Sequence, residues 1–191
     1  MTRMDFIREI RYHSSNSPNG VTLIYEDIFK ALYEEEVRYL IVGGMAVNLY
    51  GYARMTVDLD IMVDLEEEEN LKRLIKAMEK INCKPKVPIK PIEFTLSEKR
   101  EDWIKEKGAV VFTFIDLSDP IKHIDIFLRN PVDFEKAYQS RTTIPLKGIP
   151  ISLVSIDDLI ELKRLSGRPR DLEDIHHLNK IKELKKNAYG S

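Results

Sequence analysis

Apolar and polar positions along the chain change period several times, and each change marks an element. From Val21 to Glu36, Ile24, Ile28 and Leu32 recur every fourth residue, which predicts an amphipathic helix. Arg38 to Val42 is then apolar and β-prone, Gly43-Gly44 stops it, and Met45 to Tyr50 reads as a short helical run. Val57 to Val63 alternates again, so the spacing predicts a strand with Asp58 and Asp60 on one face.

Leu71, Leu74, Ile75 and Met78 return at helical spacing within Leu65 to Asn82, behind an acidic first turn that suits the helix dipole. Pro85, Pro88 and Pro91 mark Cys83 to Phe94 as an exposed connection. A charged helix ends at Gly108, and two β-prone runs, Ala109 to Leu117 and Ile121 to Leu128, are expected to form a hairpin through Ser118-Asp119-Pro120. Asn130-Pro131 is read as opening a helix to about Ser140, and Thr142 to Leu153 as short extended pieces broken by Pro145, Gly148 and Pro150. Ser155 caps a helix carrying Leu159, Ile160 and Leu162; Gly167 closes it and Pro169 opens another through Leu172, Ile175, Leu178 and Ile181. The pattern gives an α+β fold: a small mixed sheet flanked by helices, with a C-terminal helical segment. Its expected organisation is a flexible N-terminal arm at 1–20, a core at 21–153, and C-terminal helices at 154–187 packed on that core.

The candidate chemistry sits where the pattern is least economical. Aspartate is disfavoured in strands, and two carboxylates at roughly 4 Å repel by about 4 kcal/mol near a protein surface. A hard divalent cation shared with substrate phosphates removes that repulsion; a solvated strand face with two unrelated acids is the plainer alternative. Lys122 to Leu128 places His123 and Asp125 together on one face. If that strand pairs beside the first, Asp125 joins Asp58 and Asp60. The glycine turn at a helix start offers unpaired amide donors suited to phosphate.

Gly43-Gly44, Asp58-Leu59-Asp60 and the later Asp125 together resemble the nucleotidyltransferase superfamily of the DNA polymerase beta type. Within it the chain is similar to the small prokaryotic AbiEii toxin-like and lincosamide or aminoglycoside nucleotidyltransferase-like groups. Arg54-x-Thr56-x-Asp58, and Lys163 followed by Gly167-Arg168-Pro169-Arg170-Asp171-Leu172-Glu173-Asp174, support the likeness, which spans roughly Tyr25 to Leu178. The resemblance implies a nucleotidyltransferase fold and transfer of a nucleoside monophosphate from a nucleoside triphosphate to a hydroxyl, with pyrophosphate released. It implies that Asp58, Asp60 and Asp125 are catalytic and bind one or two Mg2+ ions. Gly43, Gly44, Arg54, Thr56 and Lys163 are then expected to bind the nucleotide, with ATP as one candidate. Arg168, Asp171 and Asp174 are expected to lock the last two helices together. The acceptor, whether a small molecule, a tRNA or a protein, stays open. So does a non-catalytic, partner-binding role beside a cognate toxin or antitoxin protein. A glycosyltransferase also uses Asp-x-Asp with a metal, but the short chain and the upstream Gly-Gly turn stand against it.

Composition narrows the setting more than the chemistry. The 191 residues are 43% hydrophobic, enough for a core, and 32% charged residues leave a net charge of only −2. No global field therefore directs the chain to nucleic acid or to an anionic membrane. Local patches remain possible, the best being Lys84, Lys86, Lys90, Lys99, Arg100, Lys105 and Lys107. The single cysteine, Cys83, forms no internal disulfide, and no long apolar run or signal-like start is read, so a soluble cytoplasmic protein is expected. His176 and His177 are read as ordinary helix residues.

Overall fold

The computed structural model describes residues 25–119 and 121–189; the expected arm at 1–20 lies outside them. Seven strands form one mixed sheet in the order β3-β4-β5-β2-β1-β7-β6. In chain order the elements are α1 (Glu26–Glu34), β1 (Tyr39–Ile41), α2 (Gly43–Leu49), β2 (Asp58–Val63), α3 (Glu68–Lys80), β3 (Cys83–Pro85), α4 (Ser97–Lys107), β4 (Val111–Asp116), β5 (His123–Phe127), α5 (Phe134–Gln139), β6 (Thr142–Leu146), β7 (Ile149–Leu153), α6 (Ile156–Ser166) and α7 (Pro169–Tyr189). The fold is α+β, as the pattern predicts.

Strands β4, β5 and β2 give the sheet two chemically different faces. β2 runs parallel to β5 with Leu59 beside Ile124 and Ile61 beside Ile126, and β4 adds Phe112 and Phe114 to the same face. All six side chains are buried. The alternate residues, Asp58 and Asp60 of β2, His123 and Asp125 of β5, and Thr113 of β4, therefore face the other way.

Helices α1 and α3 bury Ile28, Phe29, Leu32, Leu71, Leu74 and Met78 in the common core. Asn70 of α3, with no exposed surface, spends its amide mainly on Arg38 and also donates to the Asp64 carbonyl at 3.5 Å. It accepts from the Arg38 amide at 2.7 Å and donates to the Arg38 carbonyl at 3.1 Å, which ties α3 to the start of β1. In the second half of the chain, α6 packs against both α2 and α7. Ser155 caps α6 by accepting from the Asp158 amide at 3.1 Å, and Gly167 ends it in the left-handed conformation.

Four local expectations change. Cys83 to Phe94 is not simply an exposed connection: Cys83–Pro85 pairs antiparallel with β4, and Pro91–Thr95 forms a 3-10 turn. As β3 is an edge strand, its proline costs no ladder hydrogen bond. The helix read from Asn130 begins only at Phe134, where the Asp133 carboxylate accepts from the Lys136 amide at 3.0 Å. Thr142 to Leu153 is an unbroken hairpin, because Pro145 and Pro150 pair directly opposite each other and β7 meets β1 at Leu153, away from the prolines. Arg100, expected in a basic patch, turns inward with 5% exposure; its guanidinium donates to the carbonyls of Phe94, Thr95 and Leu65 at 2.8–3.0 Å.

Candidate active site

Parallel pairing of β2 and β5 brings the third acid to the first two. Asp60 stands beside Asp125, and Asp58 beside His123, across the two strands. The Asp58 carboxylate lies 3.6 Å from His123 Nδ1. Asp125 accepts at Oδ1 from the Thr113 hydroxyl at 2.6 Å. Among the described residues, no side-chain donor reaches the Asp60 carboxylate.

Burial pushes the Asp60 carboxyl up to about 6, and the negative charges of Asp125 and then Asp58 push in the same direction, while Lys163 and Arg168 pull against them. Burial is thus the larger cause, and the two neighbouring carboxylates add to it. Among the described residues no three His, Cys, Asp or Glu side chains stand close enough to hold a metal ion without moving. The donor set is nonetheless that of a hard-cation site: carboxylate oxygens from adjacent strands, with no thiolate and one imidazole beside them.

The glycine turn is built against this face. Gly43 opens α2 at φ +63°, a conformation that favours glycine. A Cβ there would meet Asp60 Oδ2 at 1.9 Å, so no other residue fits without displacing the carboxylate. Val42 just before it donates its amide to the Asp60 carbonyl at 3.0 Å, locking the turn to β2. A Cβ on Gly44 would come within 2.8 Å of Thr56 Oγ1 and 3.2 Å of Arg54 Cζ. Arg54 and Thr56 thus close over Gly44.

A second cluster holds that loop in place. Asn48 of α2, largely buried, donates to the Arg54 carbonyl at 2.9 Å and accepts from the Arg54 amide at 2.7 Å. The Arg54 guanidinium pairs with Asp174 of α7. Lys163 of α6 reaches the same Asp174 at 2.7 Å and Asp171 at 2.9 Å. Lys163, Asp171 and Asp174 are 7%, 5% and 1% exposed, so these are buried pairs. Burial raises the Asp171 carboxyl, but hydrogen bonds from Lys163 and Ser166 outweigh it and leave the carboxyl below its usual range. Tyr52 in the same loop donates to Glu173 at 2.7 Å and stacks on His177 with ring centroids 3.7 Å apart.

Of the residues singled out in the sequence, Gly43, Asp58, Asp60 and Asp125 share one face, and Gly44, Arg54 and Thr56 line its border. Lys163 lies near enough to act on the Asp60 charge, yet its ammonium is engaged by Asp171 and Asp174. The two aspartates do more than join α6 to α7, since Asp174 also grips Arg54. Thr113 and Asn48 escaped the sequence reading: a threonine in a strand and an asparagine in a short helix carry no signal of what they face. His177 is a stacking residue, consistent with its having no metal partner in the sequence.

The AbiEii family model, described as "Nucleotidyl transferase AbiEii toxin, Type IV TA system", matches residues 27–189. The chain is similar in fold to the crystal structure of ANT(2'')-Ia in complex with adenylyl-2''-tobramycin, with TM-score 0.52 and 16% identity over 89% of this chain and 97% of that one. It is also similar to an antigenic nucleotidyltransferase-like protein from Paracoccidioides brasiliensis, with TM-score 0.55 and 16% identity over 87% of this chain and 77% of that one. No curated protein matches.

Proposed function

We infer a reaction from one premise: the chain belongs to the AbiEii nucleotidyl transferase toxin family. The reaction is transfer of a nucleoside monophosphate from a nucleoside triphosphate to a hydroxyl acceptor, with release of pyrophosphate. The observation that carries this reading is the in-register pairing of Asp60 with Asp125, which collects three carboxylates on one face beside a glycine turn.

The residues fit Mg2+ by donor chemistry, and Asp58, Asp60 and Asp125 would hold it. When bound, the ion neutralises the acids and the charge that grows on the phosphates as pyrophosphate leaves. Asp125 orients or deprotonates the acceptor hydroxyl. Gly43 and Gly44 let the triphosphate approach the backbone without a side chain between them. Arg54 and Thr56, set over Gly44, contribute a guanidinium and a hydroxyl to its oxygens. Lys163 supplies positive charge behind Asp60. In this reading residues 21–153 form the nucleotidyltransferase core and 154–187 are helices that complete its site through Asp174.

The family description also supports a cognate antitoxin partner, and the reading puts the protein in the cytoplasm, where nucleoside triphosphates are abundant. None of the described helices is long and apolar enough to cross a membrane. The ANT(2'')-Ia structure holds an adenylylated small molecule, adenylyl-2''-tobramycin, which keeps a small-molecule hydroxyl among the acceptors beside tRNA and protein.

The test is a thermal-shift panel of ATP, GTP, CTP and UTP, each with and without Mg2+. A nucleotide at a hundred times its dissociation constant adds about 2.7 kcal/mol of stability. The expected result is a Mg2+-dependent rise with at least one nucleotide that disappears in Asp58→Ala/Asp60→Ala. No rise with any of the four would favour a protein whose work is partner binding.

A further inference from the structure

We propose that Thr113 is the positioning residue for Asp125, resting on the nucleotidyltransferase reading above. Thr113 lies on β4, directly across from Asp125 of β5, and its hydroxyl donates to Asp125 Oδ1 at 2.6 Å. The bond crosses between neighbouring strands and fixes the carboxylate plane, which leaves Oδ2 as the oxygen not bound by Thr113.

The other two acids are held differently. Asp58 faces an imidazole at 3.6 Å, and Asp60 rests against the Gly43 backbone. Asp125 is thus the one member of the trio whose aim depends on a single neighbouring hydroxyl. It is also the acid whose charge acts most strongly on Asp60, so a change in its orientation is felt across the strand pair. Thr113 is assigned a role through Asp125, the carboxylate its hydroxyl holds. Partners that orient a metal-binding carboxylate commonly change metal affinity by 10–100-fold when removed.

The experiment measures Mn2+ binding by the electron paramagnetic resonance signal of free Mn2+, in the presence of a non-transferable nucleoside triphosphate analogue. Thr113→Val keeps the branched shape and removes the hydroxyl; Thr113→Ser keeps the hydroxyl and removes the methyl. Valine should weaken Mn2+ binding about tenfold, and serine should leave it within about twofold. Thr113→Ala serves as the hydroxyl-free variant should valine fail to fold, and melting curves without metal are recorded for each. Wild-type Mn2+ affinity in a folded hydroxyl-free variant would overturn the proposal, as would a lowered melting temperature with unchanged affinity, which is the signature of a structural bond. A wild-type protein that binds no Mn2+ with any analogue overturns the nucleotidyltransferase reading and this inference with it.

Discussion

The acid face of β2 and β5 and the Lys163 cluster between α6 and α7 contain the same kinds of group and treat them in opposite ways. Around Lys163, two cations meet two carboxylates at depth, and Asp174 serves both Arg54 and Lys163. On the acid face three carboxylates share one side of the sheet, and Asp60 among them has its carboxyl pushed up to about 6. In one cluster opposite charges are paired within the chain, with only the Arg54 Nε left without a partner among the described residues; on the nucleotidyltransferase reading proposed above, the other is completed by a bound cation. Buried charge that is balanced holds elements together, whereas buried charge that is unbalanced points to a ligand.

Substituting one aspartate from each cluster should separate the two roles. Asp60→Ala is expected to lower nucleotidyl transfer by at least about 10³-fold, roughly 4 kcal/mol of barrier, while the melting temperature of the metal-free protein stays level or rises. A clear fall in melting temperature would show that Asp60 belongs with the structural carboxylates after all. Asp174→Ala should do the reverse. Removing one partner from a buried ion pair costs about 3–5 kcal/mol, so urea unfolding should lose stability on that scale. If Asp174→Ala unfolds at the wild-type midpoint, the cluster is not what secures α7.

Acidity sharpens the contrast with a smaller effect. Asp60 takes up a proton more readily in the folded chain than in the unfolded one. The stability this provides is full below about pH 4 and is lost as pH rises through about 6. With EDTA present, lowering pH from 7.5 to 5 should therefore stabilise the protein through this group, by about 1 kcal/mol. Asp60→Asn and saturating Mg2+ should each flatten that slope. Asp171, with its carboxyl held low by Lys163 and Ser166, works in the other direction and matters only in stronger acid. A wild-type profile that is already flat between pH 7.5 and 5 would contradict the repulsion assigned to Asp60.

How far the sequence carried follows from which interactions are local. Asp58 and Asp60 share a face because of strand periodicity alone, and Gly43-Gly44 announces a tight turn by composition, so both were legible. The Asp60–Asp125 register was conditional on a pairing between distant segments, and the structure supplies it. Arg100 was misread because a charged helix looks solvated from outside, while three backbone carbonyls needed a donor within. Proline signalled breaks at Pro145 and Pro150, yet placing the two opposite each other lets the hairpin continue. Asp174 sits in a run of charges where nothing local distinguishes it, and only the packing of α7 reveals that it meets Arg54.

The tie between Arg54 and Asp174 spans 120 residues, and this gives the protein a timetable. During synthesis all three acids are in the chain once Asp125 has been added, but the loop over Gly44 gains its α7 anchor only when Asp174 follows. At ordinary elongation rates that interval is roughly 3–10 s. A nascent or prematurely terminated chain ending between these two residues carries the acids without the clasp.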